Sequence, residues 1–292
     1  MSFSSEIKQE LNKTNKLANK EIVKYELIGY LISGNIEFIN KSNIKFSTES
    51  DYNINRLAKL LSNLEINYNI EISGKNFVIK LKTTDINEIV NCENKQIIIK
   101  EEIKNETKEE NLRAIIRGIF LGSGSINNPE NKYHLEITFK QEENLELVTG
   151  ILRKLGISCK KMKTQNKYSL YIKDGEEISK FLAVIEANKA VMQFEDVRIQ
   201  KEMRGKVNRL VNCETANLNK TINASIEQIA AIEKLQKTGK FNKLNDNLKE
   251  IAILRLENPD MALSELGKLL KNPVGKSGVN YRLKKIIDIA NE

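Results

Sequence analysis

The chain has 292 residues, 40% hydrophobic and 29% charged, with a net charge of +8 and a pI near 9.1. That length suits two or three globular domains with real cores, and the positive balance suits a polyanionic partner such as nucleic acid. Cys92, Cys159 and Cys213 stand far apart with no CxxC pair and a single histidine in the chain, which excludes a zinc site within one chain and suggests no disulfide framework.

In chain order, residues 4–19 carry Ile7, Leu11 and Leu17 among charges and read as an amphipathic helix with a serine start. The N-terminal run MSFSSEIKQELNK has no apolar core of signal-peptide length, and no later run approaches a membrane span, so a cytoplasmic protein with reduced thiols is expected. A second helix covers 21–33, with Ile22, Tyr25, Ile28, Gly29 and Ile32 before a turn at Gly34. Strands follow at 35–39 and 44–48, then a helix at 51–64 and strands at 67–73 and 77–81. The last pair is joined by a hairpin-type Ser-Gly-Lys-Asn turn. Residues 85–109 are polar and charge-rich, consistent with a short helix and a linker.

The order helix, hairpin, helix, hairpin then recurs. Residues 113–127, RAIIRGIFLGSGSIN, place Ile115, Ile116, Ile119 and Phe120 at helical spacing, with small residues at Gly118, Gly122, Ser123 and Gly124. Such a face admits another backbone at close range, and the glycines supply left-handed geometry to end the helix. Residues 133–139 alternate as a half-buried strand. If Tyr133, Leu135 and Ile137 point inward, His134, Glu136, Thr138 and Lys140 face the other side, and Lys45 and Lys80 hold equivalent places in the first copy. A lone histidine in a strand is more often a surface residue, so His134 is assigned no catalytic role. Leu57, Leu60, Leu61, Leu64 and Ile66 recur 91 residues later as Val148, Ile151, Leu152, Leu155 and Ile157. Phe77, Ile79 and Leu81 recur in the same register as Tyr168, Leu170 and Ile172, whereas Gly29 returns 89 residues later as Gly118. A small insertion therefore separates helix from strands, and two copies imply packing about a pseudo-twofold axis at the glycine-bearing helices.

Residues 195–240 read as long helices with a basic run at Arg198, Lys201, Arg204, Lys206 and Arg209. From Leu244 a three-helix pattern begins. Leu248, Ile251, Leu254 and Leu256 form one apolar face, Asn258-Pro259-Asp260 breaks it, and Leu263, Leu266, Leu269 and Leu270 form a short second helix in which Gly267 permits a close crossing. A turn at 271–275 leads to a third helix at 276–289 with Val279, Leu283, Ile286 and Ile287 inward. This is a helix-turn-helix pattern, and Lys276, Ser277, Asn280, Tyr281, Arg282, Lys284 and Lys285 fall largely on its outer surface as donors for phosphates and base edges. The alternative is a helical packing module with solubilising lysines.

RAIIRGIFLGSGSINNPENKYHLEI, VNRLVNCETANLNKT and LSELGKLLKNPVGKSGVNYRLKKI, in that order, resemble the WhiA family across essentially the whole chain. The resemblance implies an α+β fold: a pseudo-twofold LAGLIDADG-like αββαββ repeat, degenerate from a homing endonuclease, followed by an all-α helix-turn-helix domain. It also implies a DNA-binding transcriptional regulator with roles in sporulation, cell division and chromosome segregation, nucleoid-associated, without cofactor or bound metal. The partners implied are double-stranded DNA and other transcription or division proteins. The expected organisation is a first half at 1–105, a second half at 106–195, a basic helical connector at 196–243 carrying Arg204 and Arg209, and the helix-turn-helix at 244–292. Nuclease chemistry in such a fold needs a carboxylate near the end of each signature helix to hold divalent metal around the scissile phosphate. Aligning the glycines puts Ser123 in that position in the second copy, and Gly34, or Ser33 with one gap, in the first. Neither can replace a carboxylate, and Glu26 and Glu37 fall on the wrong part of the motif, so the chain is expected not to be an enzyme. The competing readings are a metal-dependent nuclease, which predicts cleavage of duplex DNA, and a protein-interaction adaptor whose basic tail binds DNA without sequence preference.

Overall fold

A computed structural model of the chain describes residues 2–13, 16–33, 35–164 and 167–292 and divides into two units, 1–201 and 202–292. The first unit opens with α1 (Phe3–Asn12), whose Ser2 side chain accepts from the Ser5 N–H, and α2 (Lys20–Ile32), capped by Asn19. The single helix expected over 4–19 is thus a shorter one. Next come β1 (Ile36–Phe38), β2 (Asn43–Thr48), α3 (Asp51–Asn63), β3 (Asn69–Ser73) and β4 (Asn76–Lys82). Gly74 in the β3–β4 turn has φ +63°, the left-handed conformation a tight hairpin requires.

The linker holds more than a helix. A hairpin of β5 (Asn91–Glu93) and β6 (Gln96–Ile98), with Asn94 and Lys95 both at positive φ, precedes α4 (Glu101–Lys104). The second copy comprises α5 (Glu109–Ser123), β7 (Gly124–Ile126), β8 (Leu135–Phe139), α6 (Glu142–Lys154), β9 (Lys160–Thr164) and β10 (Lys167–Ile172). Helix α7 (Gly175–Val184) leads to α8 (Asn188–Lys237), one continuous helix where several were expected, because its polar centre contains no residue that breaks a helix.

The two four-stranded antiparallel sheets have the same order, β1-β2-β4-β3 and β7-β8-β10-β9. Phe77 pairs with Thr48 and Tyr168 with Phe139, so the displacement of 91 residues found in the side-chain pattern also holds in the strand register. The insertion lies in the β7–β8 connection, 127–134, which replaces the shorter 39–42 of the first copy.

Helices α2 and α5 pack on one another at the centre, and the contact is reciprocal. A Cβ at Gly29 would be driven into the Ile115 carbonyl oxygen, and one at Gly118 into that of Glu26. Both steps are 89 residues, so the two contacts are images of each other across the pseudo-dyad. The glycines therefore serve close approach. They do not end the helix as expected: Gly124 is extended, at φ −77° and ψ 146°, and starts β7. A second reciprocal pair fixes the helix ends. Asn53 of α3 donates to the Leu121 carbonyl of α5 at 2.7 Å, and Asn144 of α6 donates to the Ile32 carbonyl of α2 at 3.4 Å. These buried amides satisfy last-turn carbonyls that have no partner within their own helix.

The second unit contains the remainder of α8, α9 (Asp246–Glu257), α10 (Leu263–Leu269) and α11 (Lys276–Asn291). Its core joins Leu248, Ile251, Leu266, Leu270, Val279, Leu283 and Ile286. Ala231, Ile232 and Leu235 of α8 enter the same core, so the bundle has a fourth helix that the three-helix pattern did not include. Leu269, expected inside, is 52% exposed. Gly267 admits the carbonyl of Val274 in the α10–α11 turn, so the close approach is chiefly to turn backbone rather than a helix crossing.

Candidate nucleic-acid interface

Helix α11 buries Val279, Leu283, Ile286 and Ala290 on one side. Lys276, Ser277, Asn280, Tyr281, Lys284 and Lys285 are exposed, and Tyr281 is the most prominent apolar group among them at 68%. Arg282 is half-buried and does not join them: at 100° per residue it lies about 160° around the helix from Asn280. A contiguous face thus runs through Lys276, Ser277, Asn280, Tyr281 and Lys284, with Arg282 on the opposite flank.

Beside that face is a cleft of about 250 Å³ lined by Lys220, Thr221, Gln228, Arg255, Ser264, Lys276 and Asn280, together with Ala224, Ala262 and Leu263. It holds three cations and no carboxylate. Arg255 is 2% exposed and donates from Nη1 to the carbonyls of Asn258, Pro259 and Met261, at 3.3, 3.2 and 2.9 Å. Burial pushes its pKa down. Its Nε and the Gln228 Oε1 find no hydrogen-bond partner among the described residues. Sequence reasoning missed Arg255, because an arginine within an amphipathic helix usually faces solvent. The signal was the break that follows it, since the loop at 258–261 presents carbonyls that need a donor. Arg204 and Arg209 both lie on the exposed stretch of α8, but about 140° apart around the helix axis, so they do not share a face.

In the first unit, the ends of α2 and α5 are where the resemblance would put metal-binding acids. Gly34 lies outside the described residues. Ser33 donates its hydroxyl to the Tyr30 carbonyl at 2.7 Å, and Ser123 donates to the Thr138 carbonyl at 2.8 Å. Asn35 donates to the Gly122 carbonyl at 2.6 Å, and Lys140 donates to the Ile36 carbonyl at 2.7 Å while lying 3.9 Å from Glu37. Serine hydroxyls committed to backbone carbonyls, an amide and an ammonium do not suit a divalent cation, which requires anionic oxygen donors. Nor are the nearby acids available. Glu37 pairs with Lys45 at 3.0 Å, whose hydrogen bond holds its carboxyl below the usual range.

Glu26 is 1% exposed and bonds Arg56 at 2.7 and 2.9 Å and Arg117 at 2.8 Å. Burial alone would raise its pKa, but the hydrogen bonds and charges of Arg56 and Arg117 outweigh burial and hold it below the ordinary carboxylate value. Arg117 continues to Glu186 at 2.9 Å, so one ionic cluster ties α2, α3 and α5 to the loop after α7.

The outward sheet faces differ between copies. In the first, Lys45 and Lys80 stand opposite each other in register, and each is paired: Lys45 with Glu37, Lys80 with Glu71 at 2.6 Å. In the second, the outward set includes His134, Glu136, Thr138, Tyr171, Lys160, Lys167 and Lys173. Glu136 lies 3.8 Å from Lys167 and 3.7 Å from His134, while Lys173 sits over the Tyr171 ring at 5.1 Å. Lys160 and Lys173 have no carboxylate within ion-pair distance among the described residues, and neither has the exposed Lys82, which holds the place of Lys173 in the first copy, so each sheet carries uncompensated positive charge. No helix among the described residues is long and apolar enough to cross a membrane.

Comparison with known proteins gives matches along the whole chain. The WhiA LAGLIDADG-like domain matches residues 112–204, and the WhiA C-terminal HTH domain matches 207–290. The probable cell division protein WhiA of Clostridium botulinum is 38% identical, with 100% of this chain and 98% of that protein covered. Its counterpart in Clostridium tetani is 37% identical at the same coverage. The crystal structure of full-length WhiA from Thermatoga maritima is 29% identical, covers 100% of this chain and 98% of its own, and superposes with a TM-score of 0.61.

Proposed function

The chain belongs to the WhiA family, and from that premise we propose that it is a sequence-specific DNA-binding regulator of transcription acting in cell division and chromosome segregation, and in sporulation where the organism sporulates. The observation that carries this reading is the exposed donor-rich face of α11, set on a helix-turn-helix with its own core. Ser277, Asn280, Tyr281 and Lys284 read base edges in the major groove. Lys276, Lys285, Arg282 and, from the adjacent cleft, Lys220 hold backbone phosphates, which position the helix without carrying sequence information. Arg204 and Arg209 add phosphate contacts from the connector, and the lysines of the second sheet provide a further surface for DNA or for transcription and division proteins.

In this reading the functional parts are two repeat halves, 1–105 and 106–195, a connector at 196–243 and the reading domain at 244–292. The repeat domain binds and does not cut, because Ser123 and its surroundings offer no metal-holding acid. The protein then works at the nucleoid in the cytoplasm. Footprinting across the organism's own chromosome tests this: occupancy clustered at promoters supports regulation, whereas diffuse coverage supports the adaptor alternative.

A further inference from the structure

In the second unit, helix α8 carries an exposed apolar stripe. Within the second unit, Met203, Val207, Leu210, Val211 and Leu218 are 62%, 58%, 61%, 51% and 60% exposed. Single exposed apolar residues need no explanation, but five on one helix face within about four turns form a patch that water does not favour. At 100° per residue they span a band about 100° wide, the width of a face that packs against another helix.

The pattern of the stripe specifies what covers it. Reflection about the midpoint between Leu210 and Val211 carries Met203 onto Leu218 and Val207 onto Glu214. Further along the sequence it carries Ile199 onto Ile222. Met203, Val207 and Val211 form one ridge of four-residue steps, and Leu210, Glu214 and Leu218 form the other. Two such ridges interdigitate in the commonest class of helix crossing. In a two-fold contact, if residue i meets residue j then j meets i, and the antiparallel order sets apolar Met203 beside Leu218 and Leu210 beside Val211, with Glu214 the one charged exception. A parallel pairing would instead set Glu214 on Glu214 and Arg204 on Arg204. The antiparallel order sets Glu214 beside Val207 and within reach of Lys206 of the second copy.

We propose that this stripe is the self-association surface of the protein, and that two copies cross antiparallel with the dyad between Leu210 and Val211. Arg209 lies on the other side of the helix and stays clear of the contact. One consequence rests on the DNA-binding reading, though the dimer itself does not: a two-fold dimer presents two copies of α11, so its target carries two half-sites.

Sedimentation of the full-length chain over a range of concentrations tests the proposal. A reversible monomer–dimer equilibrium is expected, with Leu210→Glu and Leu218→Glu each weakening it roughly a hundredfold. Both side chains are exposed, so an unchanged circular dichroism melt establishes that the variants fold. Glu214→Leu replaces the one charge in the stripe and tightens the dimer. Orientation is read by oxidative cross-linking in a Cys213→Ser background. Met203→Cys together with Leu218→Cys yields a covalent dimer, whereas Met203→Cys alone does not. A chain that stays monomeric at every concentration, a dimer indifferent to Leu210→Glu and Leu218→Glu, or efficient cross-linking through Met203→Cys alone overturns the proposal. DNA affinity measured on the same variants separates that failure from failure of the DNA-binding reading.

Discussion

Replacing Gly118 by alanine is a direct test of the pseudo-twofold interface, because two effects of opposite sign meet there. Alanine is the better helix former, which in a helix interior stabilises by about 1 kcal/mol. At Gly118, however, the added Cβ collides with the Glu26 carbonyl oxygen and sits 3.0 Å from the carbonyl carbon and 3.1 Å from the Gly29 Cα. All three atoms are backbone of α2, so no side chain can rotate away and the helices must separate. Overpacking costs about 1–3 kcal/mol when neighbours can adjust, and backbone on backbone belongs at the upper end. Separation also stretches the Glu26–Arg117 pair, now 2.8 Å. The net expectation is a loss of about 2 kcal/mol, which lowers the melting temperature by roughly 4–8 °C for a unit of this size. Gly150 provides the matched control. It lies inside α6 with nothing within 4 Å of an added Cβ. Gly150→Ala should therefore raise stability by about 0.5–1 kcal/mol. Thermal and urea melts of both variants decide the matter. A Gly118→Ala protein as stable as the parent would refute the claim that this glycine exists for close helix approach.

Further outcomes follow from the same interface. Asn53→Ala removes the donor to the Leu121 carbonyl and the acceptor of the Tyr30 hydroxyl, and should cost about 2–3 kcal/mol in urea unfolding. Asn144→Ala, whose longer bond is the weaker one, should cost less. Because the folded-state pKa of Glu26 is depressed, its contribution is fully present above the ordinary carboxylate pKa and is lost as pH falls below it. Glu26→Gln, which leaves Arg56 and Arg117 without their carboxylate, should lower stability by about 3 kcal/mol or more at neutral pH and flatten the acid limb of the stability profile. An unchanged acid limb would count against the cluster. Supercoiled plasmid with Mg²⁺ should stay intact under the parent protein and under Ser123→Asp, since one acid does not rebuild a paired site; cleavage by either contradicts the argument from donor chemistry.

Much of this architecture is legible in the sequence because apolar spacing reports which face is buried. Leu57 through Ile66 and their images from Val148 to Ile157 reveal the repeat without coordinates, and the strand register repeats the same displacement. Where the pattern misleads, a short segment or a single contact decides. The β5–β6 hairpin is too short and too charged for alternation to stand out. Gly124 reads as a helix stop but begins a strand, because small size was needed for contact and not for backbone conformation. Asn53 and Asn144 look like ordinary polar positions near helix starts, and their reach to the opposite helix is a long-range fact that spacing cannot encode. On α11 the periodicity finds the outer residues, yet treating them as one surface joined Arg282 to Asn280 across about 160° of helix.

The central claim, that α11 reads sequence, is tested most directly by the ratio of affinities for a footprinted duplex and its scrambled version at one salt concentration. Fixed salt matters because phosphate contacts dominate both affinities and would otherwise mask the ratio. The parent protein should prefer the footprinted duplex, and Asn280→Ala should reduce that preference by roughly tenfold or more, the value of a bidentate base contact. Lys285→Ala should weaken both duplexes alike. A preference that survives Asn280→Ala, Tyr281→Ala and Lys284→Ala unchanged would contradict base reading by this helix.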